Sequence, residues 1–130
     1  YIDMRKKISS GSPWEDQVGY SRAVRVGNMI EVAGTTAMDG DVPVGRGDVY
    51  AQTVFIFQKI EKTLQEAGAG MQDVVRTRMF ITDISKWEEA GKAHAEFFKD
   101  IRPVATMVEV SKLINNDLLI EIEVSAIVDP

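Results

Sequence analysis

The chain has 130 residues, enough for one domain that buries roughly two thirds of its unfolded surface and holds a core without staples. Its 15 Lys and Arg are outnumbered by 20 Asp and Glu and are scattered, apart from Arg5-Lys6-Lys7, which disfavours nucleic acid as the main partner because phosphate binding needs concentrated positive charge. No cysteine is present, so disulfides, a thiolate nucleophile and a Cys-rich zinc site are excluded and a reducing, cytoplasmic setting fits; no apolar run approaches the ~20 residues of a membrane span.

Met4, after Tyr1-Ile2-Asp3, reads as the natural first residue, and Lys6 to Ser9 has the composition of a short strand. Ser21 to Gly34 carries β-branched runs on either side of Gly27-Asn28, the pattern of a hairpin. Thr35 to Asp48 holds Gly40, Gly45, Gly47 and Pro43 and is a loop, long enough to carry function. Its Asp39, Asp41 and Asp48 are too irregularly spaced for a calcium loop, and no metal is expected.

Asp48 is placed to cap a helix running to about Ala67. Thr53, Phe57, Ile60, Leu64 and Ala67 recur at spacings of four and three and form one apolar stripe, which Gly68 and Gly70 terminate. Val74 to Asp83 is a strand by its β-branched and aromatic content. Ser85 then caps a second helix to about Lys99, with Trp87, Ala90, Gly91, His94, Phe97 and Phe98 on one side. Pro103 forbids further helix, and Arg102 to Val128 reads as two strands joined by a polar turn.

The order β-β-α-β-α-β-β, with the additional strand at the start, predicts an α+β domain: one sheet with two helices, which cover only one face. Alternation along the strands sorts the residues. Leu118, Ile120, Ile122, Val124 and Ala126 oppose Leu119, Glu121, Glu123 and Ser125. Val75, Thr77, Met79 and Ile81 oppose Arg76, Arg78 and Phe80, while Val104, Thr106, Val108 and Val110 oppose Ala105, Met107 and Glu109. With the more apolar set of each strand turned to the helices, the second face mixes arginine and glutamate with Leu, Met and Phe. Faces of that kind are covered by other subunits, so a homo-oligomer is expected.

The Gly27-Asn28-Met29-Ile30 turn, the Glu66-Ala67-Gly68 helix end and the closing Val108-Glu109-Val110 and Ile120-Glu121-Ile122-Glu123 segments, in this order, resemble the RidA family, also called YjgF/YER057c/UK114. The resemblance spans about Gly19 to Val128. It implies a chorismate-mutase-like fold and a homotrimer whose sheets form a central barrel. It also implies small-molecule clefts between subunits and hydrolysis of reactive enamines and imines to ketoacids and ammonia, with no cofactor.

The best-known branch carries Pro-Ala-Arg-Ser, whose arginine grips the substrate carboxylate; here the segment is Pro103-Val104-Ala105-Thr106, with Ala105 at the arginine position. The resemblance assigns Glu121 to orienting the attacking water and Tyr20 to the cleft wall. It places Ala33 and Thr35 where that branch has a Ser-Gly-Gln motif, and Ala105 and Met107 at the ligand. Arg78, on the face assigned to Ala105 and Glu121, is a candidate replacement for the missing clamp; its alternative role is to neutralise a glutamate at the subunit seam. Arg102 is three residues from Ala105, about 10 Å away along an extended chain and on the other face.

Glu121 itself has two readings, a water-orienting carboxylate or a salt-bridged structural residue. His94, the only histidine, reads as a packed core residue and not as a catalytic one. Some relatives are called endoribonucleases, but an acidic chain with one histidine offers no physical support for that mechanism. Two functions lead, an imine or enamine deaminase of altered specificity and a trimer that binds a small metabolite without turnover, with an endoribonuclease or translation-inhibiting activity as a weaker third.

Overall fold

A computed structural model describes residues 5–129; the expected start at Met4 lies outside them. The strand anticipated near the beginning forms over Arg5–Ile8 (β1). It is followed by a helix that the periodicity did not reveal, Pro13–Val18 (α1). This short helix is made by its ends: the Ser12 side chain accepts from the Trp14 N–H, Pro13 occupies the first turn where a missing N–H costs nothing, and Gly19 closes it at φ 90°.

Ala23–Val26 (β2) and Met29–Thr35 (β3) form the hairpin about Gly27-Asn28. The following loop contains only a minimal pair, Met38–Asp39 (β4) with Val42–Pro43 (β5). Asp48 accepts the Ala51 N–H at 3.0 Å and starts Val49–Glu66 (α2). Val74–Ile81 (β6) leads to Trp87–Phe98 (α3), then Val104–Glu109 (β7) and Ile120–Ile127 (β8). The side-chain cap before α3 is Asp83, which accepts from the Ser85 N–H and begins a turn of 3-10 helix, so Ser85 is not the cap the sequence suggested.

The main sheet runs β1-β2-β3-β8-β6-β7. Only β6 and β7 are parallel, joined through α3, so the sheet is mixed. The two closing strands do not pair with each other: β8 inserts between β3 and β6, and β7 is left at the edge. Ile30, Val32, Thr77, Met79, Ile81, Ile120, Ile122 and Val124 are buried, as are Ile56, Phe57, Ile60, Leu64 and Phe98 from the helices. No helix among the described residues is long and apolar enough to cross a membrane.

Three of the face assignments are corrected. A register shift between Val74 and Arg76 gives the buried position to Val74 and leaves Val75 exposed. Trp87 opens α3 on the solvent side, 54% exposed, apart from the stripe it was grouped with. In β7 the parallel register sets Ala105 beside Thr77 and Met107 beside Met79, so these two and Glu109 share the helix-side face, while Val104, Thr106 and Val108 lie with Arg76, Arg78 and Phe80. Both alternating sets of β7 are nearly equally apolar, and only the pairing with β6 decides between them. Arg78 consequently shares its face with Thr106, Glu121 and Glu123, and not with Ala105.

The loop that feeds β8 is pinned from below. Gln52, fully buried on α2, donates from Nε2 to the Asp117 carbonyl and accepts the Leu119 N–H at Oε1, each at 2.8 Å. Replacing it by leucine keeps the volume but leaves two backbone groups unsatisfied. Gln52→Leu should lower unfolding stability by about 2 kcal/mol or more, seen as a reduced denaturant midpoint at unchanged slope.

Candidate functional site

At one end of the sheet, β3 departs from regular pairing: its register against β8 shifts between Val32 and Thr35. Ala33-Gly34 bulges there, and the Glu121 side chain on β8 packs directly on Gly34. A Cβ at position 34 would overlap the Glu121 carboxylate, so this placement of the Glu121 side chain uses the space a Cβ would take, and a larger residue would make the carboxylate swing aside. The carboxylate opens onto a broad cleft bounded by α1, the segment Tyr20–Arg22, the face of α2 carrying Lys59, and the loop before β8.

Glu121 is half-buried and makes no hydrogen bond or ion pair with the described residues. Burial pushes its pKa up; the charge of Arg22 opposes this and that of Glu123 reinforces it. Arg22 donates from Nη2 to the Gly34 carbonyl at 2.6 Å, and its guanidinium carbon lies 5.9 Å from the Tyr20 ring centre. Its Nε is buried without an acceptor among the described residues. Lys59, on the cleft wall, donates to the Met38 carbonyl at 2.8 Å and the Thr36 carbonyl at 3.3 Å, with Nζ 5.8 Å from the Phe55 ring centre. Burial and then the Arg22 charge depress its pKa, against a smaller opposing effect of Asp39.

Of the residues singled out in the sequence, Glu121, Tyr20 and Thr35 come together in this cleft. Thr35 is only 2% exposed and spends its hydroxyl proton on the Ala33 carbonyl at 2.9 Å, so it shapes the floor. Ala33 and Arg78 line a shallower depression on the far side of Tyr20, with Glu31 and Glu123, where Arg78 Nη1 is 3.5 Å from Glu123 Oε1. Ala105 and Met107, on the edge strand, line neither.

Gly34, Arg22 and Lys59 were not anticipated. Gly34 stood between two flagged positions, and Arg22 lies two residues past Tyr20 at the entrance to β2; both signals were present but needed the β3–β8 register to acquire meaning.

His94 sits on the helix side, 2.9 Å from the Thr77 hydroxyl, with its ring centre 4.8 Å from that of Phe98 and 5.7 Å from that of Phe57. Burial lowers its pKa. This is the packed core histidine expected.

The Endoribonuclease L-PSP family model matches residues 13–128. An uncharacterised Streptomyces coelicolor protein, SCO2049, is 40% identical over 121 residues, spanning 93% of this chain and 90% of that protein. The 3-aminoacrylate deaminase RutC of Acinetobacter baylyi is 32% identical over 104 residues, 79% of this chain and 82% of that protein. The crystal structure of Rv2704 from Mycobacterium tuberculosis, a member of the YjgF/YER057c/UK114 family, superposes with a TM-score of 0.88 at 51% identity, covering 95% of this chain and 99% of that one. With the family model matched over residues 13–128 and the fold shared over nearly the full length, the chain belongs to the Endoribonuclease L-PSP family, that is, the RidA or YjgF/YER057c/UK114 group.

Proposed function

We propose that this protein binds a small imine or enamine at the Glu121 cleft and hydrolyses it to a carbonyl compound and ammonia. The observation that carries this reading is the half-buried Glu121 carboxylate, which lies over Gly34 at the cleft and has no partner among the described residues. A carboxylate held this way is costly unless it serves a ligand or a water. The likeness to a relative named 3-aminoacrylate deaminase supports the enamine and imine class.

In the reaction, an enamine first takes a proton at carbon and becomes an imine. Glu121 accepts a proton from water as the oxygen forms its bond to the imine carbon. Glu121 returns that proton to nitrogen to give a carbinolamine, then takes the carbinolamine hydroxyl proton and delivers it to nitrogen as the C–N bond breaks, which leaves the carbonyl and ammonia. A carboxyl whose pKa lies above the ordinary glutamate value is better matched to both halves of that transfer than a free one.

The quaternary arrangement we propose is a homotrimer with the open sheet faces turned inward as a barrel. Val26, Met29, Val104, Val108 and Ile127 are all exposed on that face beside Arg78 and Glu123, a mixture suited to burial against another copy. In such a trimer the edge strand β7 of a neighbouring copy would bring its Ala105 and Met107 to the Glu121 cleft, which they do not line in their own chain.

The second reading, binding without turnover, is favoured by one feature: alanine at position 105 provides no cation.

Glu121→Gln should lower ketoacid release from freshly generated 2-iminobutyrate by about a hundredfold or more while leaving binding of the ketoacid intact; an equal rate in the variant would remove Glu121 from the chemistry. Because the carboxylate is the active form and its pKa is raised, the acid limb of the wild-type rate profile should lie above the ordinary glutamate value of 4.5. An acid limb at or below that value would contradict the role of burial. Gly34→Ala should displace the Glu121 side chain and lose activity to a similar degree, with the circular dichroism of the folded chain preserved.

A further inference from the structure

We infer that residues 9–20, which carry α1, form a flap on the cleft that the Glu15 carboxylate holds shut and that opens as one unit, independently of the sheet, when this carboxylate loses its partners. The inference goes beyond the hydrolytic reading and does not need it.

The two ends of the stretch are fixed side by side. β1 stops at Ile8, which lies opposite Ala23 in the sheet, and the Arg22 N–H donates to the Ile8 carbonyl at 2.8 Å. Between these points the chain leaves the sheet and returns, as a compact surface loop with neighbouring ends does. Its hydrogen bonds close within itself. The Glu15 N–H donates to the Ser12 carbonyl, and the Gly19 and Tyr20 N–H groups both donate to the Glu15 carbonyl, at 2.9 and 3.0 Å. Among the described residues, no backbone hydrogen bond of residues 9–20 reaches β3, β8 or α2.

Apolar burial does not hold the stretch down either. Trp14 and Val18, one turn apart on α1, line the cleft and are 56% and 68% exposed. From residue 9 to residue 20, Glu15 alone is buried. A helix held by packing turns its apolar stripe inward; α1 turns in a carboxylate instead. Six residues are also too few for a helix to persist once detached, so α1 and its flanks open together.

The buried carboxylate is occupied by the stem of the flap. Glu15 Oε1 accepts the Ser9 hydroxyl at 2.9 Å, Oε2 accepts the Ser10 N–H at 3.2 Å, and the Ser10 hydroxyl donates to Oε2 as well. Ser9 and Ser10 continue directly from β1, so these bonds tie the helix to the edge of the sheet. Burial pushes the Glu15 pKa up, but the bonds from Ser10 and Ser9, with the Arg22 charge, outweigh it and leave the group below its ordinary value. The acceptor is therefore ionised at neutral pH, and charge-assisted bonds are the strong kind. With all of them on one side chain, that side chain is the latch.

The joints are present on both sides of α1. Gly11 and Gly19 stand at φ 79° and 90°, and a Cβ built at either would meet nothing within 4 Å. Both therefore lie in open space, where the backbone can turn without displacing a neighbour.

Hydrogen exchange followed residue by residue tests this. The Gly19 and Tyr20 amides bond to the backbone carbonyl of residue 15, which any side chain at that position leaves in place. In the wild type the two should show equal protection, at least about tenfold below that of the β8 amides. Glu15→Ala should lower it by about a further tenfold and leave β8 and α2 unchanged. Ser9→Ala combined with Ser10→Ala should act in the same direction, because it removes the hydroxyl donors from the other side of the latch. The chain has no cysteine, so nitroxides at Val18→Cys and Lys62→Cys, diluted with unlabelled protein, report the width of the cleft between α1 and α2. Their single narrow distance should broaden and lengthen when Glu15→Ala is added. Unchanged protection of Gly19 and Tyr20 in Glu15→Ala, or an unbroadened nitroxide distance, overturns the proposal. An equal loss of protection in β8 overturns it too, by making Glu15 a support of the whole fold. Wild-type protection of Gly19 and Tyr20 equal to that of β8 does so without any variant. None of these readings involves turnover, so failure of the flap and failure of the hydrolytic reading are separate outcomes.

Discussion

The contact between Glu121 and Gly34 is the constraint on which the rest of the site depends. It arises where β3 loses regular register with β8, so that a strand whose side chains otherwise alternate cleanly between core and open face delivers a carboxylate onto bare backbone. The bulge also presents the Gly34 carbonyl to Arg22, which brings a guanidinium to the same place. A single irregularity in the sheet thus positions the acid, fixes the cation and opens the cleft between them. Bulges of this kind re-aim side chains at a cost in pairing, and here the ladder on either side, from Met29 to Val32 and again at Thr35, is intact.

Glu121, Arg22 and Lys59 are all partly removed from water, and none of them finds an opposite charge within ion-pair distance among the described residues. The half-buried Glu121 carboxylate without a partner lowers stability, and the buried Nε of Arg22 adds to the cost. By contrast the buried Gln52 and the half-buried His94 have their hydrogen-bonding partners. At the cleft Arg22 and Lys59 donate to backbone carbonyls, and Glu121 is the charged group left without a hydrogen-bond partner among the described residues, the condition expected of a group that waits for a ligand.

Much of the fold was legible in the sequence. The Thr53-Phe57-Ile60-Leu64 stripe and the Asp48 cap gave α2, and the alternation of Ile120, Ile122 and Val124 gave the buried face of β8. These patterns are local and strongly periodic. The helix α1 was missed because six residues are too few for periodicity and only its caps signal it. The face of Ala105 and Met107 was misjudged because β7 is apolar on both sides, so only its parallel register with β6 decides. The site divided in the same way. Glu121 and Tyr20 could be named from family likeness, whereas Arg22 and Lys59 lie 37 residues apart in sequence and meet only through packing of α2 on β3.

The central claim is that Glu121 is kept unpaired for chemistry and is not a structural ion-pair partner. Its raised pKa means that, between the ordinary glutamate value and the raised one, the folded chain holds more protons than the unfolded chain. Stability therefore falls as pH rises through that window, and the deficit persists above it. Glutamine at position 121 does not titrate. The most direct measurement is the unfolding free energy of the wild type and of Glu121→Gln from pH 4 to pH 8, at matched protein concentration. The account predicts that the variant is at least as stable as the wild type at neutral pH, with its advantage shrinking as pH falls towards the ordinary glutamate value. A variant less stable than the wild type by about 1 kcal/mol or more at neutral pH would show that the carboxylate holds the structure together, and would contradict the account.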